Sequence, residues 1–488
     1  MGVRLTRARR EVPKRWGFGG LGFAGPERAL ERCIVSCKFL LLFSFLVSAG
    51  CSSNAPSGPI PTDTEQERLN DRWQGFWLGQ SIGNWTGLVT EMDKIGGEGS
   101  RGQFYTRDDW GSSDQPAIWS DLPSEISPTI DFVLRRPGET WGADDDTDIE
   151  YMYLFTMDEL GLGRLDPESI RDAWLAHIYN EQLPTPYGKD GEVYQNYLWV
   201  SNQAAHELML SGVRPPQTAA PANNAYGEMI DAQLTTEIFG LLAPAQPDVA
   251  LNLAYFPIRT AGYGDAVLAA EFYVVLHALV AGEPRGRLEP EQLMALALNA
   301  RQYLPDDSTP AAMFDFVLMN YRAGLPWEVT RDRIYERYQV QQADGYDMSR
   351  RGLYCNGCFA SGINFAASLI SFFYGEGDFQ KTMKIAVLTG WDADNPAATW
   401  GGLLGFSIGR ERIEAYFGGE LSDRFNIHRT RKGFPNKGID NFDAMAVRAM
   451  RVSCNVVEAS ISEPKGRSQM CRRLLSRERP SQDTLSKD

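Results

Sequence analysis

The chain has 488 residues, 43% of them hydrophobic, with 63 acidic against 48 basic side chains and a formal net charge of −15. That length allows one large domain or two to three ordinary ones, and the apolar fraction is enough for a sizeable core. The acidic balance argues against nucleic acid as a partner, because phosphate binding needs a basic footprint. It does not exclude a small anionic ligand, since a bound metal inverts local electrostatics.

Residues 1–34 are basic and show no clear apolar period. They precede a short apolar run, Phe39-Leu-Leu-Leu-Phe-Ser-Phe-Leu-Val-Ser-Ala-Gly50, which ends in small residues at Cys51. The run is too short to span a bilayer and has the character of a signal-peptide core. Small residues before Cys51, with Ser52-Ser53-Asn54 and Pro/Gly-rich chain after it, resemble a bacterial lipoprotein signal. That resemblance implies removal of residues 1–50, lipidation of Cys51, a flexible tether over 51–66 and an exported protein anchored in the cell envelope. An ordinary cleaved signal, or a true start further in near Val35, are the alternatives.

From about residue 67 the chain reads as helical. In Arg72–Gly87, glycine recurs every four residues at Gly75, Gly79, Gly83 and Gly87, a spacing that lets two helices approach closely. An acidic cluster follows at Asp144-Asp145-Asp146-Thr147-Asp148-Ile149-Glu150, where Thr147-x-x-Glu150 predicts a capping box for a helix through Tyr151–Phe155. Gly/Pro-rich stretches at 184–191, 212–224 and 242–248 separate further helical segments. Residues 266–281 are apolar nearly all round, as in a buried helix, and 359–374 repeat that character. Between them, 289–304 carry Leu293, Leu296, Ala297, Ala300 and Leu304 at helical spacing. A second cluster, Gly390-Trp391-Asp392-Ala393-Asp394-Asn395-Pro396, lies 244 residues beyond Asp148 (392 − 148), and Asn395-Pro396 predicts a cap opening a helix over 397–406. Period-2 alternation is scarce, so the expected fold is all-α: a single large multi-helix domain over 67–462, then a polar tail over 463–488.

The two acidic clusters present carboxylates beside hydroxyl and amide groups at helix starts, the kind of oxygen set that hard divalent cations prefer. Two solvated acidic loops, with Asp favoured for ordinary capping, are the competing reading. Of the seven cysteines, Cys33 and Cys37 fall in the removable segment. Cys355 and Cys358 suit a local disulfide or two buried thiols, and no second Cys-x-x-Cys or His pair completes a zinc set. His177, His206, His277 and His428 show no mutual pattern and read as structural. Phe104, Tyr105, Trp110 and Trp119 are aromatic candidates for stacking on a base, with core or loop anchoring as the commoner use.

Taken together, these motifs resemble the ADP-ribosylglycohydrolase family over most of 68–460. The glycine-spaced opening helix, the Asp145-Asp146-Thr147 segment, the middle stretch Gly227–Gln233, and Gly390-x-Asp392-x-Asp394 with Gly401-Gly402 and Gly405 carry the likeness. The resemblance implies an all-α fold whose cleft holds two Mg²⁺ or Mn²⁺ ions, ligated by Asp145, Asp146, Asp392 and Asp394. Asp144 and Asn395 join the candidate ligands, each standing where the family has a hydroxyl residue. Asn84 stands in place of a usual Asp, and Glu91 falls where some members carry a glutamate near the substrate. Asp146 or Glu91 is the expected proton-handling residue. The implied activity is metal-dependent hydrolysis of an N- or O-glycosidic ADP-ribosyl bond, with small-molecule or protein-linked ADP-ribose as partner. The alternatives are a non-catalytic crystallin-like or ligand-binding relative and a hydrolase of another ribosyl or N-glycoside.

Overall fold

The computed structural model of the chain describes residues 65–180, 196–351, 355, 357–428, 430–460 and 469–476, all within one compact unit, Thr62–Asp488. The expected signal segment, Cys51 and nearly all of the tether lie outside the described residues. In chain order the helices are α1 (Glu65–Gly87), α2 (Asp145–Leu160), α3 (Pro167–His177), α4 (Val200–Leu210), α5 (Ile238–Leu241), α6 (Pro247–Ala261), α7 (Asp265–Ala281) and α8 (Pro290–Arg301). They continue as α9 (Thr309–Arg322), α10 (Trp327–Ile334), α11 (Ser361–Gly375), α12 (Phe379–Thr389), α13 (Asp394–Ile408), α14 (Arg410–Tyr416), α15 (Phe442–Ser460) and α16 (Gln469–Ser476). Among the described residues the fold is all-α apart from one small antiparallel pair, β1 (Arg424–Asn426) with β2 (Ile439–Asn441). Among the described residues no helix is long and apolar enough to cross a membrane.

The architecture turns on α1 against α13. Glycine inside a helix costs roughly 1 kcal/mol relative to alanine, yet α1 carries one at every fourth residue from Gly75 to Gly87. The reason is the partner. A methyl group on Gly75 would strike the Gly405 carbonyl, one on Gly79 the Gly401 carbonyl, and one on Gly83 the Ala397 carbonyl. The two helices run antiparallel, backbone on backbone, and the seam ends where Gly87 meets the Asp394 backbone. A glycine stripe thus places the start of α13, which carries the second acidic motif, against the end of α1. α7 and α11 pack against α13, and all three are buried on nearly every face, as the uninterrupted apolar runs of the first two predict.

Both helix starts at the acidic clusters differ from expectation by one turn or less. Asp144, not Thr147, caps α2: its carboxylate accepts from the Asp146 N–H at 3.2 Å. Thr147 closes the box from the third position, its hydroxyl accepting the Asp144 N–H at 3.3 Å. Glu150 is therefore released from capping and turns into the core. Likewise α13 begins at Asp394. Asn395 is not its cap, because its amide is engaged across the site, and Pro396 sits in the first turn, where a missing N–H is tolerated.

One further reading changes. The stretch taken as a polar tail contains α16, whose Leu474 is buried and whose Cys471 is bonded to Cys454 of α15. A cross-link holds a segment that its composition would leave free. Cys355 and Cys358 are placed as a bonded local pair, one of the two alternatives left open by their spacing.

Candidate metal centre

Two loops and two helix starts assemble the site. The turn following α1 carries Glu91. The next residues run alongside the second motif: Met92 N–H donates to the Trp391 carbonyl at 2.8 Å, and Trp391 N–H donates to the Lys94 carbonyl at 2.7 Å. Trp391 itself has φ of 59°, a region that side chains other than glycine's rarely adopt. It is held there by full burial and by its indole N–H, which donates to Gln339 Oε1 at 2.8 Å. Gly390 before it has φ of 101°, and a methyl there would meet the Lys94 carbonyl and the Phe104 ring. The backbone is bent so that Asp392 and Asp394 both face the end of α1. Strain of this kind persists where the surroundings over-determine it, and it clusters at functional sites.

The carboxylates converge. Oxygens of Glu91, Asp392 and Asp394 lie within 4.8 Å of one another, and so do oxygens of Asp144, Asp146 and Asp394. Asp394 belongs to both sets. Asp145 lines the same cleft but stands outside these two close sets. Asn395 faces the site as a donor: its amide gives a hydrogen bond to Asp146 Oδ1 at 3.1 Å, and its own oxygen accepts from Gln233 at 3.5 Å. Asn84 donates to Asp144 Oδ1 at 2.7 Å, and the Asn364 oxygen accepts the Asp392 N–H at 3.2 Å. Behind α2, the buried ion pair of Asp148 with Arg431, 2.9 Å apart, neutralises a further carboxylate close to the cluster.

Electrostatics follow from this crowding. Burial, and then the charge of Asp394, push Asp144 and Asp146 up from the usual carboxylate range. Burial, and then Asp394 and Asp392, push Glu91 well up. Asp145 and Asp392 rise in the same way, burial first and neighbouring carboxylates second. Like charges at this density cannot all ionise without a counter-charge. Asp394 Oδ1 is buried with no hydrogen-bond partner, the kind of orphan atom that calls for a ligand. An all-oxygen donor set with an orphaned carboxylate oxygen at its centre fits a divalent cation.

An aromatic wall stands over the carboxylates. Trp119, Trp199 and Phe359 line the cleft with Val200, Ile230 and Leu234. Trp119 is nearly parallel to both other rings, with centroids 6.1 Å from Trp199 and 6.5 Å from Phe359. Of the aromatics singled out by sequence, only Trp119 is at the site. Tyr105 is buried and donates to Asp93, Phe104 packs on Trp391, and Trp110 packs on Phe132. Of the histidines, His177 bonds the Lys432 carbonyl and His277 the Tyr273 carbonyl. Sequence reasoning missed Gln233, Asn364, Trp199 and Phe359. Only Gln233 carried a usable signal, a polar residue in a short stretch already noted for its motif.

Among curated proteins nothing matches the sequence. A solved structure described as an ADP-ribosylglycohydrolase-related protein complex is similar at 18% identity, over 80% of this chain and 99% of that chain, with a TM-score of 0.44. The family match is the informative comparison: residues 65–444, from the first turn of α1 to the start of α15, match the ADP-ribosylglycohydrolase family, and the chain belongs to that family.

Proposed function

We propose that the protein is a metal-dependent hydrolase of an ADP-ribosyl glycosidic bond, with Glu91, Asp144, Asp146, Asp392 and Asp394 holding a pair of Mg²⁺ or Mn²⁺ ions. Family membership supports the reaction class. The observation that carries the metal reading is the pair of carboxylate triplets sharing Asp394. When bound, the ions supply the positive charge that orients ribose hydroxyls and a water at the anomeric carbon.

The chain's own residues then divide the work. Asp146 is buried and one of its oxygens is taken by the Asn395 amide, so it suits a fixed ligand. Glu91 is less buried, sits on a turn and has a raised pKa caused by burial and by Asp394. Those features suit a residue that holds or releases a proton at the breaking bond. The bond breaks through an oxocarbenium-like state, which the surrounding carboxylates stabilise electrostatically. Asp145 faces the cleft from outside the close sets and is placed to accept hydrogen bonds from sugar hydroxyls. Trp119, Trp199 and Phe359 exclude water and present flat apolar faces to the rest of the substrate.

Residues 52–488 assayed with ADP-ribosyl-arginine, ADP-ribosyl-serine and O-acetyl-ADP-ribose, with Mg²⁺, Mn²⁺ or a chelator, test the reading. Turnover of at least one conjugate, abolished by chelator, is expected. No turnover, together with no ADP-ribose binding by calorimetry, contradicts it. The same reading anchors the protein in the cell envelope through an acylated Cys51. It rests on the short apolar run and small residues before that cysteine, and equal membrane retention of Cys51→Ala contradicts it.

A further inference from the structure

One helical turn below the metal ligands lies a second polar layer. Its members repeat the upper layer at a spacing of four residues on each element. Gln80 lies below Asn84 on α1, and Glu150 below Asp146 on α2. Thr399 lies below Asn395 on α13, and Glu237 follows Gln233 by four residues on the non-helical turn that leads into α5. Residues four apart on a helix share a face. Gln80 donates to Glu150 at 2.7 Å, the Ile238 N–H donates to the other Glu150 oxygen at 2.7 Å, and Thr399 donates to Glu237 at 2.6 Å. The Thr236 N–H also donates to Glu237, at 3.1 Å. Glu150 and Glu237 are both almost fully buried, and their carboxyl groups lie against each other, tied to adjacent residues of one turn through the Thr236 and Ile238 N–H groups.

We propose that the Glu150–Glu237 pair is the positioning element of the metal centre: it clamps α1, α2, α5 and α13 in the register that aligns the carboxylates above, and it does so only while the pair holds one shared proton. The inference rests on the functional reading above for the presence of metal, and concerns residues that touch neither metal nor substrate. Two buried carboxyls side by side, with no cation against them, cannot both ionise, so the pair keeps one proton. Burial, and then the charge of Glu237, raise Glu150 well above its usual value; Glu237 is raised by burial. The other groups against the pair are neutral. Gln80 and Thr399 carry no charge. From α7, Tyr273 is held protonated by burial, and burial lowers His277, bonded to the Tyr273 carbonyl, to about 4. Loss of the shared proton therefore puts an uncompensated second charge at the junction of four elements, and the ligand-bearing turns above separate.

Glu150→Gln and Glu237→Gln each replace the shared proton with a permanent N–H donor. Mg²⁺ affinity is measured by calorimetry at about pH 6 and about pH 9, on either side of neutrality for a raised carboxyl. Outer-layer partners set metal affinity by about 10–100-fold. The wild type should therefore bind about as well as the variants at the lower pH and at least about tenfold more weakly than them at the higher one. A wild-type to variant ratio that does not change with pH overturns the proposal. Should both variants fail to fold, amide hydrogen exchange of the wild type decides. Protection of the Ile238 and Thr236 amides, relative to α9, should fall across the same pH interval, and unchanged protection overturns the proposal. A wild type that binds neither Mg²⁺ nor Mn²⁺ contradicts the functional reading alone, because the exchange measurement still reads the pair.

Discussion

Asn84 Nδ2 lies 2.7 Å from Asp144 Oδ1, so the two positions at which the opening motifs depart from the family pattern touch each other. An amide on α1 donates to the extra carboxylate at the start of α2. Putting a carboxylate on both sides of that contact sets two buried like charges against one another. Asn84→Asp should destabilise the metal-free protein by about 1–3 kcal/mol, the cost of a buried group left without its partner. Added Mg²⁺ should recover part of the loss. Thermal unfolding with and without chelator measures both effects, and an unchanged metal-free melting temperature contradicts the contact.

The α1–α13 seam makes a sharper stability prediction. Gly79→Ala and Gly401→Ala each drive a methyl into a backbone carbonyl of the facing helix, which has no rotamer by which to yield. Overpacking typically costs about 1–3 kcal/mol, and the loss here should lie at or above the upper end. Gly418→Ala is the contrasting control: its φ of 73° is unfavourable for alanine, but no atom lies in the way. Urea unfolding of the three variants should place Gly418→Ala closest to wild type.

Asp394 and Glu91 should separate binding from chemistry. Asp394 is shared by both carboxylate sets, so Asp394→Asn should abolish tight Mg²⁺ binding and hydrolysis while leaving far-ultraviolet circular dichroism unchanged. Glu91→Gln keeps an oxygen ligand and removes the proton-carrying group. Its Mg²⁺ affinity should change by less than about tenfold while kcat falls by about 10²–10⁴-fold, the usual size of a general acid–base contribution. Full activity in Glu91→Gln removes the assigned role.

The cluster's raised pKa values fix the sign of a pH effect. Burial and mutual repulsion raise Asp146, Asp392 and Glu91, so between the usual carboxylate range and those raised values the folded chain holds protons that the unfolded chain has released. Stability then falls as pH rises through that window. The metal-free protein should accordingly be more stable at about pH 5 than at about pH 8, and saturating Mg²⁺ should flatten the difference. A metal-free melting temperature that rises across this interval contradicts the assigned shifts.

Much of this was legible in the chain because the signals were local. Glycine at 75, 79, 83 and 87 announced a close helix partner, and the two acidic motifs announced their own loops. The apolar run over 266–281 marked a helix buried on all sides. What stayed hidden was non-local. Whether Thr147 or Asp144 caps α2 depends on Glu150 being claimed by Gln80 and Ile238 from other elements. That Asn395 serves Asp146 rather than capping α13 depends on a contact 249 residues away in sequence. Trp199 and Phe359 gained meaning only when Trp119 stacked on them. The paired layers at spacings of four are visible in the numbering only once the four elements are known to meet.

The central claim, that carboxylates from three distant segments share divalent ions, is tested most directly by anomalous diffraction from crystals soaked in Mn²⁺. Two peaks about 3.5–4 Å apart are expected. One should be ligated by Asp394 with Asp144 and Asp146, the other by Asp394 with Asp392 and Glu91. Peaks bound elsewhere, or none at this cluster at saturating Mn²⁺, would contradict it.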